Sequence, residues 1–264
     1  LVGYDTLSLA LTYSRRIQRP SYQSLNPFQY KIDELSFRQG NPFLQPQYTN
    51  NIRLAHTYNY RLTTAFSYSY ISDFFAQVTE AVGDNQNFII QRNVADQKVY
   101  NLSVSYPTKI NDWWSIYTSL SAYRSEYEPT SPDFLAVDQN TFSFYGQNTF
   151  KLPKEFTMEV SGWFSSPSIW GGTYQTESLG SLDIAFQKKF LDDALTARLA
   201  FSDILYTIPW RGSTQFGDLR IEGSGGSDSR QVRFSLKYNF GRNEIKKARK
   251  RKTGIEEEQN RIDG

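Results

Sequence analysis

Residues 231–240 read Gln-Val-Arg-Phe-Ser-Leu-Lys-Tyr-Asn-Phe, with an apolar side chain at every even position and a polar or charged one at every odd position. Successive side chains of a strand point to opposite faces, so this pattern builds a ribbon with different surroundings on its two sides. The apolar side, formed by Val232, Phe234, Leu236, Tyr238 and Phe240, carries three aromatics, and the polar side carries the cations Arg233 and Lys237. Ten residues are also about what a tilted strand needs to cross a bilayer. A strand of a soluble sandwich can alternate in the same way, so the rest of the chain has to decide.

The rest of the chain repeats the pattern. Strands are predicted over 6–14, 51–60, 62–79, 87–106, 112–127, 138–152, 156–166, 174–190 and 194–207, which with 231–240 make ten. In the first, Leu7, Leu9, Leu11 and Tyr13 alternate with Ser8, Ala10, Thr12 and Ser14; in the eighth, Leu182, Ile184 and Phe186 stand opposite Asp183, Ala185 and Gln187. Composition agrees: 18 Tyr, 19 Phe and 5 Trp sit in 264 residues whose mean hydropathy is only −0.57. Many aromatics without overall greasiness fit a surface that is apolar at every second residue. No segment approaches the ~18 consecutive apolar residues of a membrane helix, which excludes a helical membrane protein but not a barrel.

The connections alternate in length. Short turns fall near Tyr60, Pro107, Pro153 and Asp192, while longer connections are expected over 15–47, at Gly83, Asp84 and Asn85, and over 128–137, 168–173 and 208–229. Short turns on one side and longer loops on the other belong to an outer-membrane barrel. With ten antiparallel strands both ends of the chain then lie on the short-turn, periplasmic side. Aromatics gather at strand ends (Tyr58, Tyr60, Tyr106, Trp113, Trp114, Phe150, Phe156, Phe190, Phe240), as an interfacial girdle would place them. The expected architecture is an all-β, antiparallel transmembrane β-barrel of about ten meandering strands. The barrel occupies residues 1–240, and 241–264 form a charged periplasmic tail.

Several chemistries are excluded. There is no Cys, hence no disulfide, thiol catalysis or thiolate metal site, and the single His56 removes clustered imidazole chemistry. No catalytic constellation, metal site or cofactor is expected. The net charge of +2 is uneven: from Gly241 onward eight basic residues against five acidic leave the preceding body near −1, with no nucleic-acid footprint. The start, Leu1, Val2, Gly3, Tyr4, does not read as a signal peptide, so the chain is expected to be the end of something longer.

The runs SRRIQRPSYQSLNPF (14–28) and RQGNPFLQPQYTN (38–50) are less generic. They resemble the C-terminal barrel of TonB-dependent outer-membrane receptors, especially the outer-membrane β-barrel family abundant in Bacteroidota. The family's GNPxLxPxxxxN pattern falls on Gly40, Asn41, Pro42, Leu44, Pro46 and Asn50, preceded by Arg19, Pro20, Asn26 and Pro27. The ending YNFG (238–241), a basic stretch and TGIEEEQNRI (253–262) are similar to the family's tail. The resemblance implies the C-terminal part of a larger barrel, about 22 strands in plugged transporters. A plug and further strands would lie upstream, and the TonB system would be engaged only through them. Outer-membrane lipid and the barrel-assembly machinery are the other implied partners.

Side chains are assigned against bland alternatives. The prolines of 15–47 hold that loop in one shape, as part of a ligand-admitting surface or as a clamp on its neighbours. Tyr22, Phe28, Trp170 and Trp210 are the candidate ligand contacts, against packing under their own loops. Arg53, Glu159, Asp183, Arg198, Arg233 and Lys237 share the polar face, where they are expected to pair with one another. His56 falls among outward residues near the short-turn rim. The function expected is ligand uptake across the outer membrane, with an anchoring or assembly barrel as the second reading and a soluble carbohydrate-binding sandwich as the third.

Overall fold

The computed structural model describes residues 6–82 and 86–240. The turn expected at Gly83, Asp84 and Asn85 and the tail over 241–264 lie outside the described residues. In order, β1 (Leu7–Gln18) leads through the one-turn helix α1 (Tyr22–Leu25), β2 (Tyr30–Lys31) and β3 (Ser36–Arg38) into β4 (Gln47–Tyr58). Then come β5 (Leu62–Val82), β6 (Gln86–Lys109), β7 (Trp114–Pro129), β8 (Val137–Leu152), β9 (Phe156–Ser165), β10 (Ser168–Trp170) and β11 (Tyr174–Thr176). The last five are β12 (Leu179–Phe190), β13 (Leu195–Ser202), β14 (Trp210–Phe216), β15 (Leu219–Gly225) and β16 (Gln231–Tyr238).

Ten of these strands form an antiparallel meander in the order β1-β4-β5-β6-β7-β8-β9-β12-β13-β16. They are the ten read from the alternation, and the sheet is open between β1 and β16. Register makes the two faces explicit. Leu11, Leu54, Phe66, Leu102, Ala122 and Phe142 lie side by side across six strands. The adjacent row, Thr12, Arg53, Ser67, Asn101, Tyr123 and Thr141, points the other way. The outward side chains are large and bare, with Leu11 72% and Phe234 63% exposed. Such a face suits hydrocarbon, not water.

The short turns are built without glycine. Asn59 and Tyr60 take left-handed backbone (φ 47° and 53°), as do Lys154 and Glu155 (60° and 59°), and Leu191, Asp192 and Asp193 (57°, 50° and 67°). Mirror-image turns of this kind match the right-handed twist of the strands they join. Trp113, Trp114 and Phe150 stack at this end, with ring centroids 5.8 to 6.1 Å apart.

At the other end the strands outgrow a membrane. β5 has 21 residues and β6 has 24, about twice what a tilted crossing takes. β5 changes register with β6 between Ile71 and Phe75, around Asp73 with φ 55°. This bulge comes where β4 ends its pairing at Tyr48 and Ser72. Beyond it the buried core of the chain begins: Ala76, Val78, Val94, Ala95, Tyr127, Phe134 and Phe216. Val94 and Ala95 are fully buried. The wall, one layer thick, has no such core, so the packed centre of the protein sits above it.

Four sequence expectations are corrected here. Residues 208–229 are not an open Gly/Ser loop: β14 and β15 form a hairpin there, and with β10 and β11 they make a separate four-stranded sheet, β10-β11-β14-β15. The turn between them is Gly217 and Asp218, with Gly217 at φ +55°. Residues 174–190 are two strands in different sheets, broken at Glu177 and Ser178. The loop expected over 168–173 begins as strand β10. The strand expected over 194–207 ends at Ser202, where Asp203 turns the chain with φ 45°.

Candidate functional site

The long-loop end carries the surface that a ligand would meet first, and its frame is the connection from β1 to β4. α1 is capped by Ser21, whose hydroxyl accepts the Ser24 amide at 3.1 Å. The segment 38–46 folds back on it. The Gly40 amide donates to the Asn26 carbonyl at 2.8 Å and the Asn41 amide to the Ser24 carbonyl at 2.6 Å. A Cβ on Gly40 would lie 2.4 Å from the Asn26 oxygen and 2.7 Å from that of Gln23, which is why only glycine fits.

The same segment is fastened to the sheet. β3 adds alongside β6 in parallel, Phe37 beside Phe88, on a stretch that β7 does not reach. The Gln39 amide donates to the Ile89 carbonyl at 3.1 Å, and Asn41 Nδ2 to that of Gln91 at 3.2 Å. Asn41 Oδ1 accepts the Phe43 amide at 3.0 Å, and Leu44 is 5% exposed. Asn50 accepts the Tyr13 hydroxyl at 2.9 Å. Gly40, Asn41, Leu44 and Asn50 therefore act on the chain's own backbone and side chains. They form the clamp that was one of the two readings of this loop.

The four candidate aromatics are not gathered into one site. Tyr22 (94% exposed) and Phe28 (73%) project from the clamp. Trp170 ends β10 and is exposed. Trp210 is packed: its ring meets Tyr174 edge-on at 5.6 Å and covers Gly223 and Gly225, while the Tyr174 hydroxyl donates to the Gly223 carbonyl at 2.9 Å.

Two clefts lie on the small sheet instead. One, of about 150 Å³, runs between the sheet and the β7–β8 connection, with Phe134, Leu135 and Ile169 facing Gln175, Gln215 and Arg220. The other is an open groove of about 580 Å³ along Gln175, Arg211, Ser213, Arg220 and Glu222. Sequence reasoning missed these polar residues because it left 208–229 as a loop. The signal was present, since Gly217 and Asp218 between the runs 210–216 and 219–225 have the form of a two-residue hairpin turn.

One buried carboxylate organises the loop from β13 to β16. Asp203 is fully buried and accepts the amides of Thr207 at 2.9 Å and Ile208 at 3.4 Å, and the Ser229 hydroxyl at 2.5 Å. Burial works to raise its pKa, but these bonds and the nearby Arg230 outweigh it and hold the carboxyl below its ordinary value. On the inner wall Arg198 pairs with Glu159 at 2.6 Å, while Asp183 accepts the Ser181 hydroxyl at 2.8 Å and the Asp203 amide at 2.7 Å. Arg53, Arg233 and Lys237 stand on the same inward side by register, and His56 lies outward, level with Leu9. Among the described residues no group of His, Asp or Glu is placed to hold a metal ion.

The alternation, the meander and the unequal ends agree with a family model that matches residues 3–238, that of the outer membrane protein beta-barrel family. The chain belongs to that family. Membership places it in the cell outer membrane, and the bare outward face is its lipid contact. Among solved structures, a chain of the FpvAI–pyocin S2 complex is similar, with a TM-score of 0.50 and 13% identity over 90% of this chain. That neighbour is a TonB-dependent receptor, and at this identity the likeness concerns the fold alone. The barrel chain described here spans 31% of the neighbour's length. Among curated proteins none matches the sequence.

Proposed function

We propose that this chain supplies wall strands and ligand-admitting loops of a TonB-dependent-receptor-like transporter, which takes up a nutrient across the outer membrane. The observation that carries the reading is the contrast between the two ends. The short-turn end is bare β-hairpins, whereas the long-loop end is a packed, clefted cap above a wall whose inner face is lined with Ser, Thr and Asn. A barrel serving as an anchor has no need of that cap.

In this reading ligand meets the cap first, at the exposed Tyr22, Phe28 and Trp170 and at the polar groove beside Arg211 and Arg220. It then passes along the inner face. Trp210 serves the site by holding β14 against Tyr174. The plug, further wall strands and TonB coupling belong to the full-length receptor, and the tail over 241–264 lies in the periplasm. Strand insertion depends on the barrel-assembly machinery, which acts on outer-membrane barrels in general.

The test compares cells that lack the full-length protein, cells that express it, and cells that express the Tyr22→Ala, Phe28→Ala, Trp170→Ala triple variant. Accumulation of a panel of labelled nutrients is measured with and without a protonophore. At least one nutrient should accumulate only with the intact protein and an intact proton gradient, and fall about tenfold in the triple variant. Identical accumulation with and without the protein across the panel would sink the transport reading and leave an anchor.

A further inference from the structure

The lipid-facing belt of this sheet is uncharged except at one position. From the short turns to the row of Leu11, Leu54, Phe66, Leu102, Ala122 and Phe142, the outward side of the ten strands is apolar or neutral, and Lys188 is its only formal charge among the described residues. Lys188 faces Phe156 on β9 and Ala197 on β13, one outward position in from the rim residue Phe190. Its ammonium lies 4.5 Å from the Phe156 ring centroid and 5.0 Å from that of Phe190. Its neighbour Lys189 points inward and is neutralised by Asp193 at 3.1 Å. Lys188 has no ion pair among the described residues.

A cation on the lipid face costs least near the interface, where a long side chain can carry its charge to the headgroups. Two ring faces attract an ammonium, but they fill none of its three N–H donors. Oxygen acceptors with a countercharge would fill them, and on this side of the sheet the phosphates of the bilayer are the ones within reach. We propose that Lys188, flanked by Phe156 and Phe190, binds the phosphate of a phospholipid in the leaflet beside the short turns. Phe186 and Leu236, on the same outward face, lie where the acyl chains would run.

The full-length protein in detergent would be titrated with dioleoylphosphatidylglycerol and followed by native mass spectrometry. Wild type should retain one more lipid than Lys188→Gln, with an apparent affinity about tenfold higher, and Lys188→Arg should keep it. The Phe156→Leu, Phe190→Leu variant should bind more weakly with the lysine intact. Dioleoylglycerol, which lacks the phosphate, should not be retained, and millimolar inorganic phosphate should not displace the phospholipid. Equal retention by wild type and Lys188→Gln would overturn the assignment, as would retention of the diacylglycerol. Displacement by inorganic phosphate would assign the site to the free anion and overturn the lipid reading. A folded-barrel gel shift common to all variants keeps a folding defect from imitating lost binding.

Discussion

Asn93 holds Gln45 by both ends of one amide: its Oδ1 accepts the Gln45 N–H at 2.9 Å, and its Nδ2 donates to the Gln45 carbonyl at 3.1 Å. The second Nδ2 hydrogen goes to the Asp73 carbonyl at 2.6 Å. One side chain on β6 thus closes the clamp of the first long loop and the bulge of β5 together. Asn93→Ala strands two backbone groups of Gln45 and one of Asp73, a local loss of about 1–3 kcal/mol. The expected result is faster amide exchange at Gln45 and new protease cleavage within 19–46, with the folded fraction of the barrel unchanged.

Gly40→Ala acts on the same loop by another route. The added carbon meets backbone atoms of Asn26 and Gln23 at 2.4 to 2.7 Å, and backbone cannot swing aside as a side-chain tip can. The clamp should open as it does with Asn93→Ala, and nutrient accumulation should fall while the protein still reaches the membrane. A Gly40→Ala protein with an uncleaved loop would contradict the packing described.

The two faces of β16 can be distinguished by one cation. Phe234→Lys places a charge on the lipid side, at a cost of about 2–4 kcal/mol towards the bilayer middle. Ser235→Lys places it inward, beside Arg198, where water is available. Heat-modifiable mobility on gels should show a reduced folded fraction for the first and little change for the second. Equal losses would contradict the assignment of faces.

Acid should loosen the loop from β13 to β16 before the wall. The Asp203 pKa is depressed in the fold relative to its ordinary 3.8. Its stabilisation is therefore complete above about that value and is lost as pH falls through the depressed one. Amide exchange at Thr207 and Ile208 should rise steeply below the ordinary value. In Asp203→Asn the exchange should already be fast at neutral pH and nearly flat with acid.

Base should act on the cap core through Tyr127, which is 5% exposed and whose pKa burial pushes up to about 12. The buried phenol must stay neutral, so the stability it lends is present below the ordinary tyrosine value of 10.0 and is lost as pH rises towards about 12. Phe134 packs on the same ring and should report the change. A Tyr127→Phe cap should resist this alkaline loss.

The wall was legible because its physics is periodic. From Leu7 to Tyr238 a two-residue repeat separates lipid from lumen, and that repeat survives without any knowledge of neighbours. The cap was not legible, because its contacts are not periodic. Trp210 looked like a loop residue until Tyr174 was brought against it from 36 positions away in sequence. Asn93 and Gln45 carry no local sign of meeting. The clamp motif marked the right residues, Gly40, Asn41 and Asn50, but only the structure shows that Asn41 reaches β6.

The bulge at Asp73 also divides the chain into two regimes of tolerance to change. Below it an outward residue answers only to the fluid it touches, so Leu9, Phe66 or Leu236 can be exchanged for another apolar side chain of different volume with little consequence. Above it Val94 and Ala95 answer to fixed neighbours, and a single methylene more or less is felt. Drift among relatives should therefore conserve polarity in the wall and shape at the root of the cap. The exposed tips of the cap, free of both constraints, can diverge fastest and carry the chain from one ligand to another.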